Sequence, residues 1–175
     1  MFIEKSFSHL PHFDQQGSYQ FITFRTKESL DDYLKRLYRS GGSERVRQYR
    51  MDRYLDHSPR GALLYGKVIE RIRDYYLGCD RALFELEALC VMPNHIHVLI
   101  RQHGALADIM RYLKGGAAHL VNEVLGRRGS VWSRDYYDRA IRDERHYDLV
   151  YDYIKYNAVK AGLKDASERF YGKYG

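Results

Sequence analysis

The sequence predicts an α+β protein in which helices pack on one face of a single antiparallel sheet. Three observations predict this class: segments with the two-residue alternation of strands, segments with the spacing of amphipathic helices, and a Pro-Asn turn between two strand segments. Along the chain these elements are a strand, helices, a hairpin, a helix, a short strand and a helix. The simplest architecture for that order is the sandwich of ferredoxin-like folds.

The first half of the chain begins with a predicted strand over 19–25, YQFITFR. A helix follows, and Ser29 with Asp32 forms its predicted capping box. Residues 43–60 are rich in arginine and only weakly amphipathic, so they predict a short basic helix and a loop. A clearer amphipathic helix is predicted over 62–77.

The second half begins with a strand over 81–92, which alternates apolar residues with glutamates. After the turn and the second hairpin strand, a long helix is predicted over 106–125. Gly115 and Gly116 interrupt it at a cost of about 1 kcal/mol each relative to alanine, which indicates a kink, the close approach of a partner backbone or a packing requirement. The last predicted helix covers 143–161.

The stretch VMPNHIHVLI, residues 91–100, places two histidines inside an apolar strand. Side chains alternate between the faces of a strand, so His95, His97 and Leu99 share one face and the intervening apolar residues share the other. Two neighbouring imidazoles can bind one metal ion or one phosphate. A polar solvent-facing surface or a pair of structural histidines explains the same spacing.

Composition is typical of one globular domain, predicted here over 1–175, with 45% hydrophobic residues. The sequence shows neither a stretch of membrane-spanning length nor the apolar core of a signal peptide, so we expect a cytoplasmic protein that does not enter the membrane. The two cysteines, Cys79 and Cys90, fit neither a zinc spacing nor a disulfide framework. Cys90 is predicted to lie in the core.

Charge favours an anionic partner. The formal net charge is +6 and the isoelectric point is near 9.2, and the chain has 17 tyrosines and 7 phenylalanines. Arginine beside aromatic rings suits single-stranded nucleic acid, and residues 127–145 hold six arginines, among them Arg134, Arg139 and Arg142. Four acidic residues in the same stretch leave a self-paired solvated surface as the alternative.

The terminal helix places Tyr153 and Asn157 on one face, with Lys160 a turn further on. If that face meets the histidines, two imidazole nitrogens and one amide oxygen could hold a divalent ion next to a phenol, a ligand mixture that suits Mn²⁺ or partly hydrated Mg²⁺. Such a phenol could attack a phosphodiester and form a covalent phosphotyrosine, which conserves the energy needed to rejoin strands. The local pattern also allows Tyr153 to be a core residue, and Tyr156 is also plausible as the nucleophile by geometry.

Three motifs in order, MPNHIHVLI, GSVWSRDYYDRAIRDE and YIKYNAVKAGL, closely resemble the REP-associated tyrosine transposases, relatives of the insertion-sequence-200-like transposases in the HUH nuclease superfamily. YQFITFRT and ALADIMRYLKGG extend the resemblance over most of 19–163, and residues 43–60 match least well. The resemblance implies an HUH nuclease fold, Tyr153 as the nucleophile, and Asn157 as the third metal ligand beside His95 and His97.

The resemblance further implies a nuclease and strand transferase that binds single-stranded DNA hairpins, uses Mg²⁺ or Mn²⁺ and forms a 5′-phosphotyrosine. We expect Arg134, Arg139, Arg142 and Lys160 to contact phosphates. The chain departs from the family at Ala158, where relatives usually have proline. A non-catalytic single-strand DNA-binding protein and a phosphodiesterase that uses water are the alternatives, and both a monomer and a homodimer remain open.

Overall fold

The computed structural model of the chain describes residues 3–7 and 10–175. The strands are β1 (Ile3–Phe7), β2 (Leu10–Asp14), β3 (Tyr19–Arg25), β4 (Phe84–Val91), β5 (His95–Gln102), β6 (Tyr137–Ala140) and β7 (Phe170–Gly172). The α-helices are α1 (Asp32–Arg39), α2 (Glu44–His57), α3 (Lys67–Leu77), α4 (Leu106–Met110), α5 (Ala117–Leu125), α6 (Glu144–Lys160) and α7 (Ala166–Arg169). None of the helices in the described part of the chain is long and apolar enough to cross a membrane.

Five strands form one antiparallel sheet in the order β6-β3-β5-β4-β7, so the predicted α+β class and antiparallel sheet are confirmed. The histidine strand β5 lies at its centre, paired with β3 and β4. A separate antiparallel pair, β1 and β2, precedes the sheet. Sequence reasoning predicted neither that pair nor the short edge strand β7.

The helices cover both faces of the sheet, not one face as the sequence predicted. On one face, Ile96 and Val98 of β5 join a buried apolar cluster that includes residues of α3, α4 and α5. On the other face, Leu99 of β5 packs in a second cluster with Ile154 and Ala158 of α6. The second face also needs a cover, because its strands carry apolar side chains among the polar ones.

The predicted helix over 106–125 is divided by a π-helical segment, Arg111–Gly116, which joins α4 to α5. A Cβ atom added to Gly116 would lie 1.9 Å from the Tyr75 hydroxyl oxygen. The Tyr75 ring stacks on Tyr112, with ring centroids 4.3 Å apart. Close packing against α3 therefore explains the requirement for glycine at position 116.

Two helix starts differ from the predictions. Asp31, and not Ser29, caps α1, because its carboxylate accepts a hydrogen bond from the Leu34 N–H at 2.9 Å. Helix α3 begins at Lys67, five residues later than predicted. The N–H groups of Leu63 and Leu64 instead donate to the Pro93 carbonyl, which ties this segment to the hairpin turn.

Helix α2 is longer than the short basic helix that the sequence predicted, since it runs unbroken from Glu44 to His57. Met51 and Leu55 are buried and pack with Leu34 of α1 in a small apolar cluster. One side of α2 is thereby fixed by apolar contacts, and another side faces the histidine strand.

Candidate active site

His95 and His97 lie at the start of β5, where His97 pairs with Thr23 of β3 and Cys90 of β4. Both side chains are fully buried, with their ring centroids 4.8 Å apart. The predicted placement of the two rings on the face opposite the apolar cluster is therefore correct. The alternative of a solvent-facing surface is wrong, because other elements cover this face.

The orientation of His95 is fixed by its neighbour Asn94. The Asn94 amide nitrogen is within 3.0–3.2 Å of the carbonyl oxygens of Leu55, Ser58 and Arg60, to which it donates. Its oxygen must then be the acceptor for His95 Nδ1, 2.7 Å away. His95 therefore carries its proton on Nδ1, and the lone pair of Nε2 is free to bind a ligand.

His97 is held in a similar way by Thr23, whose hydroxyl lies 2.8 Å from His97 Nδ1. Burial, and then the nearby His95, lower the pKa of His97 well below its usual range. A neutral imidazole is the form that binds metals, and the buried Nε2 of His97 has no hydrogen-bond partner among the described residues.

Helix α6 brings Tyr153 to the histidines and carries Asn157 one turn further on. The Tyr153 ring packs edge-on against His97 and Phe21, with centroid distances of 5.4 and 5.9 Å. Asn157 is buried, and its Oδ1 lacks a hydrogen-bond partner among the described residues. The helix continues without a break through Ala158 to Lys160, as expected when alanine replaces a proline.

Sequence reasoning missed two carboxylates of α2. Asp52 is buried, and one ligand atom each from Asp52, His95 and His97 lie within 4.8 Å of one another. Asp56 Oδ1 lies 3.4 Å from His95 Nε2, without the geometry of a hydrogen bond. The available signal was their four-residue spacing, which places both carboxylates on one side of α2.

The tyrosine hydroxyl is protonated in this arrangement and donates to Asp52 Oδ2 at 2.9 Å. Burial, and then the Asp52 carboxylate, raise the pKa of Tyr153 well above its usual range. Burial also raises the pKa of Asp52 to about 6, although His95 opposes the shift. Positive charge introduced into this cluster would favour both deprotonated oxygens.

The cluster suits a divalent cation. Among the described residues, buried polar atoms of His95, His97, Asp56 and Asn157 have no hydrogen-bond partner, namely Nε2 of each histidine and Oδ1 of the other two. Buried polar atoms are nearly always satisfied, so such a group requires an explanation, and the binding of a cation is one that fits. Imidazole nitrogen with carboxylate and amide oxygen is a donor set for Mn²⁺ or Mg²⁺.

The four predicted phosphate-binding residues do not come together. Arg139 and Arg142 line a cavity of about 320 Å³ beside Tyr153. Arg134 and Lys160 are exposed and lie outside that cavity. Arg45 of α2, which the sequence did not single out, lines the cavity with the first two.

Comparison with protein families identifies the chain. The family described as "Transposase IS200 like" matches residues 56–157, more than half of the chain. The chain belongs to the IS200-like transposase family. The resemblance that the sequence motifs indicated is confirmed, and the matched region contains both histidines, Tyr153 and Asn157.

Relatives of this IS200-like chain include two Haemophilus influenzae proteins. One, described as a REP-associated tyrosine transposase, is 30% identical over 100 residues, which cover 50% of this chain and 57% of the relative. The other, without an assigned function, is 28% identical over 101 residues, which cover 42% of this chain and 54% of the relative. The chain thus spans little more than half the length of the curated relatives it matches.

A solved structure shares the fold of this member of the IS200-like transposase family. It is described as a REP-associated tyrosine transposase bound to a REP hairpin, and it has a TM-score of 0.51 at 20% sequence identity. The similarity covers 93% of this chain and 79% of that one. At this identity the comparison supports the fold, and it agrees with the sheet and helices described above.

Proposed function

We propose that this protein is a metal-dependent endonuclease and strand transferase that acts on hairpin-forming single-stranded DNA. Membership of the IS200-like transposase family supports DNA as the substrate. The observation that carries the proposal is the contact of Tyr153 with Asp52 and His97, whose ligand atoms lie with that of His95 within 4.8 Å of one another.

In this proposal His95, His97 and Asn157 hold a divalent cation, Mg²⁺ or Mn²⁺. When bound, such a cation would neutralise the phosphodiester charge and favour the phenolate form of tyrosine. The unpartnered Nε2 and Oδ1 atoms of these residues support the assignment. Asn94 and Thr23 orient the imidazoles so that each Nε2 faces the cluster.

Tyr153 is the proposed nucleophile. Its hydroxyl oxygen forms a bond to phosphorus while the bond from phosphorus to the 3′-oxygen breaks, which leaves a free 3′-hydroxyl and a 5′-phosphotyrosine. Asp52 Oδ2 already accepts the phenol hydrogen bond and so holds this oxygen in one orientation. In strand transfer a 3′-hydroxyl attacks the phosphotyrosine, which rejoins DNA and regenerates the phenol.

A DNA hairpin is the proposed partner. The neighbour of known structure is bound to a REP hairpin, and the net charge of +6 favours a polyanion. The Tyr153 ring packs against His97 of the same chain.

The proposal is tested with hairpin-bearing DNA strands labelled at the 3′ end, because the protein would remain on the fragment that carries that end. Incubation with Mg²⁺ or Mn²⁺ should give a slow, protease-sensitive band on a denaturing gel. Tyr153→Phe should abolish the band, and chelation of the metal should do the same. Tyr156→Phe is the matched control, since Tyr156 is exposed on the same helix, and it should leave the band intact.

The alternatives give different results in the same experiment. Tight binding without an adduct across many strands would indicate a non-catalytic single-strand DNA-binding protein. Cut DNA without an adduct, retained in Tyr153→Phe, would indicate water as the nucleophile and a structural role for Tyr153.

A further inference from the structure

A cavity of about 320 Å³ lies between α2, β6 and α6, next to Tyr153. Helix α2 contributes side chains at four positions, namely Arg45, Gln48, Tyr49 and Asp52. These positions follow the i, i+3, i+4, i+7 pattern of one helix face. The side of α2 that does not pack on α1 therefore lines a cavity next to the proposed catalytic cluster.

The cavity wall is positively charged. Arg45, Arg139 and Arg142 come from α2, from β6 and from the loop before α6. The pKa of His146, also in the wall, is lowered first by burial and then by Arg139 and Arg142. Because His146 Nδ1 accepts a hydrogen bond from the Arg142 N–H, the charge of the wall comes from the guanidinium groups.

One carboxylate opposes these arginines among the described residues of the wall. Both oxygens of Asp52 already accept hydrogen bonds, Oδ1 from Gln48 at 2.7 Å and Oδ2 from Tyr153 at 2.9 Å. The cavity therefore favours an anion, and bidentate arginine pairing makes phosphate a good match.

Flat apolar surfaces lie beside the arginines. The Tyr49 side chain lines the cavity and is 51% exposed, so one ring surface is available to a ligand. Phe21 and Tyr137 form the floor and pack edge to face, with ring centroids 6.2 Å apart. Aromatic rings that carry the base and arginines that carry the phosphate are the combination that binds single-stranded nucleic acid.

We propose that this cavity binds one unstacked nucleotide next to the phosphate that Tyr153 attacks, with the base on Tyr49 and the backbone phosphate on the three arginines. This inference rests on the proposed nuclease function. The volume is at the lower end of the range for ligand pockets, about 300–1,000 Å³, which suits one nucleotide and not a base pair. The nucleotide must therefore leave the stack, as in enzymes that act on extruded bases.

The family match begins at residue 56, so Arg45 and Tyr49 lie outside the matched residues. The family match therefore leaves out the side of α2 that lines the cavity.

The test compares two fluorescein-labelled strands of equal length, an oligothymidylate and an abasic deoxyribose-phosphate strand. Binding is measured by fluorescence anisotropy in EDTA, so that cleavage cannot occur. Tyr49→Ala should weaken binding of oligothymidylate by about 5- to 150-fold, the range for loss of one base–aromatic stack, and should leave the abasic strand unaffected. Tyr49→Leu keeps the bulk of the side chain without a flat ring and should behave like Tyr49→Ala.

Arginine variants test the phosphate contact. Arg45→Gln should weaken binding of both strands and lower the slope of log affinity against log salt by about 0.7, the value for one lost phosphate contact on a single strand. Arg50→Gln is the matched control, because Arg50 is exposed on α2 but outside the cavity. The control should keep both the salt slope and the preference for bases.

The outcomes separate this inference from the proposed function. If the parent forms the covalent adduct but Tyr49→Ala binds both strands like the parent, the nucleotide cavity is wrong and the nuclease stands. If Arg45→Gln and Arg50→Gln are equivalent, only general surface charge acts and the cavity is again wrong. If base preference depends on Tyr49 but no adduct forms, the cavity is supported and the nuclease is not. Absence of both binding and adduct overturns both.

Discussion

Asp52→Asn is expected to stabilise the metal-free protein at neutral pH. Asp52 is only 2% exposed, and it accepts hydrogen bonds from Tyr153 and Gln48. Its carboxylate must ionise in a region that largely excludes water. Asparagine has nearly the same shape and keeps one acceptor oxygen, but it carries no charge.

The magnitude follows from the pKa of this carboxyl group. Burial raises the pKa of Asp52 from its ordinary 3.8 to about 6. At about 1.4 kcal/mol per pH unit, ionisation in the folded chain costs about 3 kcal/mol of unfolding free energy at neutral pH. Since asparagine replaces only one of two acceptor oxygens, the expected gain is about 1–3 kcal/mol, or several degrees in Tm.

The pH dependence of unfolding shows whether the Asp52 carboxylate stabilises or destabilises the fold. The folded-state pKa lies above the unfolded value, so the stability associated with protonated Asp52 is fully present below about pH 4 and is lost as the pH rises through 6. The advantage of Asp52→Asn should therefore emerge between pH 4 and 6 and persist at pH 7. Urea unfolding in EDTA across this range measures it. Asp32→Asn is the control, because it removes a carboxylate that is 89% exposed. A variant less stable than the parent at pH 7 would refute the reasoning.

Two further predictions concern residues that support the site. Asn94→Ala removes the acceptor that orients His95 and should weaken Mn²⁺ binding by about 10- to 100-fold in isothermal titration, whereas unchanged affinity would contradict the orienting role. Gly61→Ala should lower Tm by more than Gly17→Ala. Both glycines have positive φ, so both substitutions strain the backbone. An added Cβ at Gly61 would also lie 2.3 Å from Thr26 Oγ1, whereas at Gly17 it meets no atom within 4 Å. Equal decreases in Tm for the two variants would show that backbone strain alone, and not the contact with Thr26, causes the loss of stability.

The parts of the site that the sequence predicted correctly depend on local periodicity. Alternation along β5 placed His95 and His97 on the same face, opposite the apolar cluster. The four-residue spacing along α6 placed Tyr153 and Asn157 on the same face. That this face meets the histidines was a supposition about packing, which the contact between the Tyr153 and His97 rings supports for Tyr153.

The parts that the sequence did not predict depend on contacts between distant segments. Asp52 and Tyr153 are 101 residues apart, and the arginine-rich pattern of α2 gave no reason to join them. Met51 and Leu55 indicate an apolar side to α2, and the rest of its surface resembled a solvated basic surface. Helices were predicted on one face of the sheet because the two histidines made the other face look polar. That face also carries Leu99 and Phe21, which pack against α6.

The same atoms that destabilise the free chain are the ones best placed to bind a ligand. His95, His97, Asp56 and Asn157 each bury a polar atom without a partner among the described residues, and such atoms cost about 1–3 kcal/mol apiece. The fold can hold them because the opposite side of each element is fixed by apolar packing: Ile96 and Val98 in one cluster, and Leu55 of α2 in another. A cation that bound these atoms would recover part of that free energy. Its affinity would therefore come from contacts with polar atoms that have no partner within the part of the protein that the structure describes. Helix α2 supplies both the carboxylates of this cluster and one wall of the adjoining cavity, and we therefore expect changes in α2 to alter metal binding and nucleotide selection together.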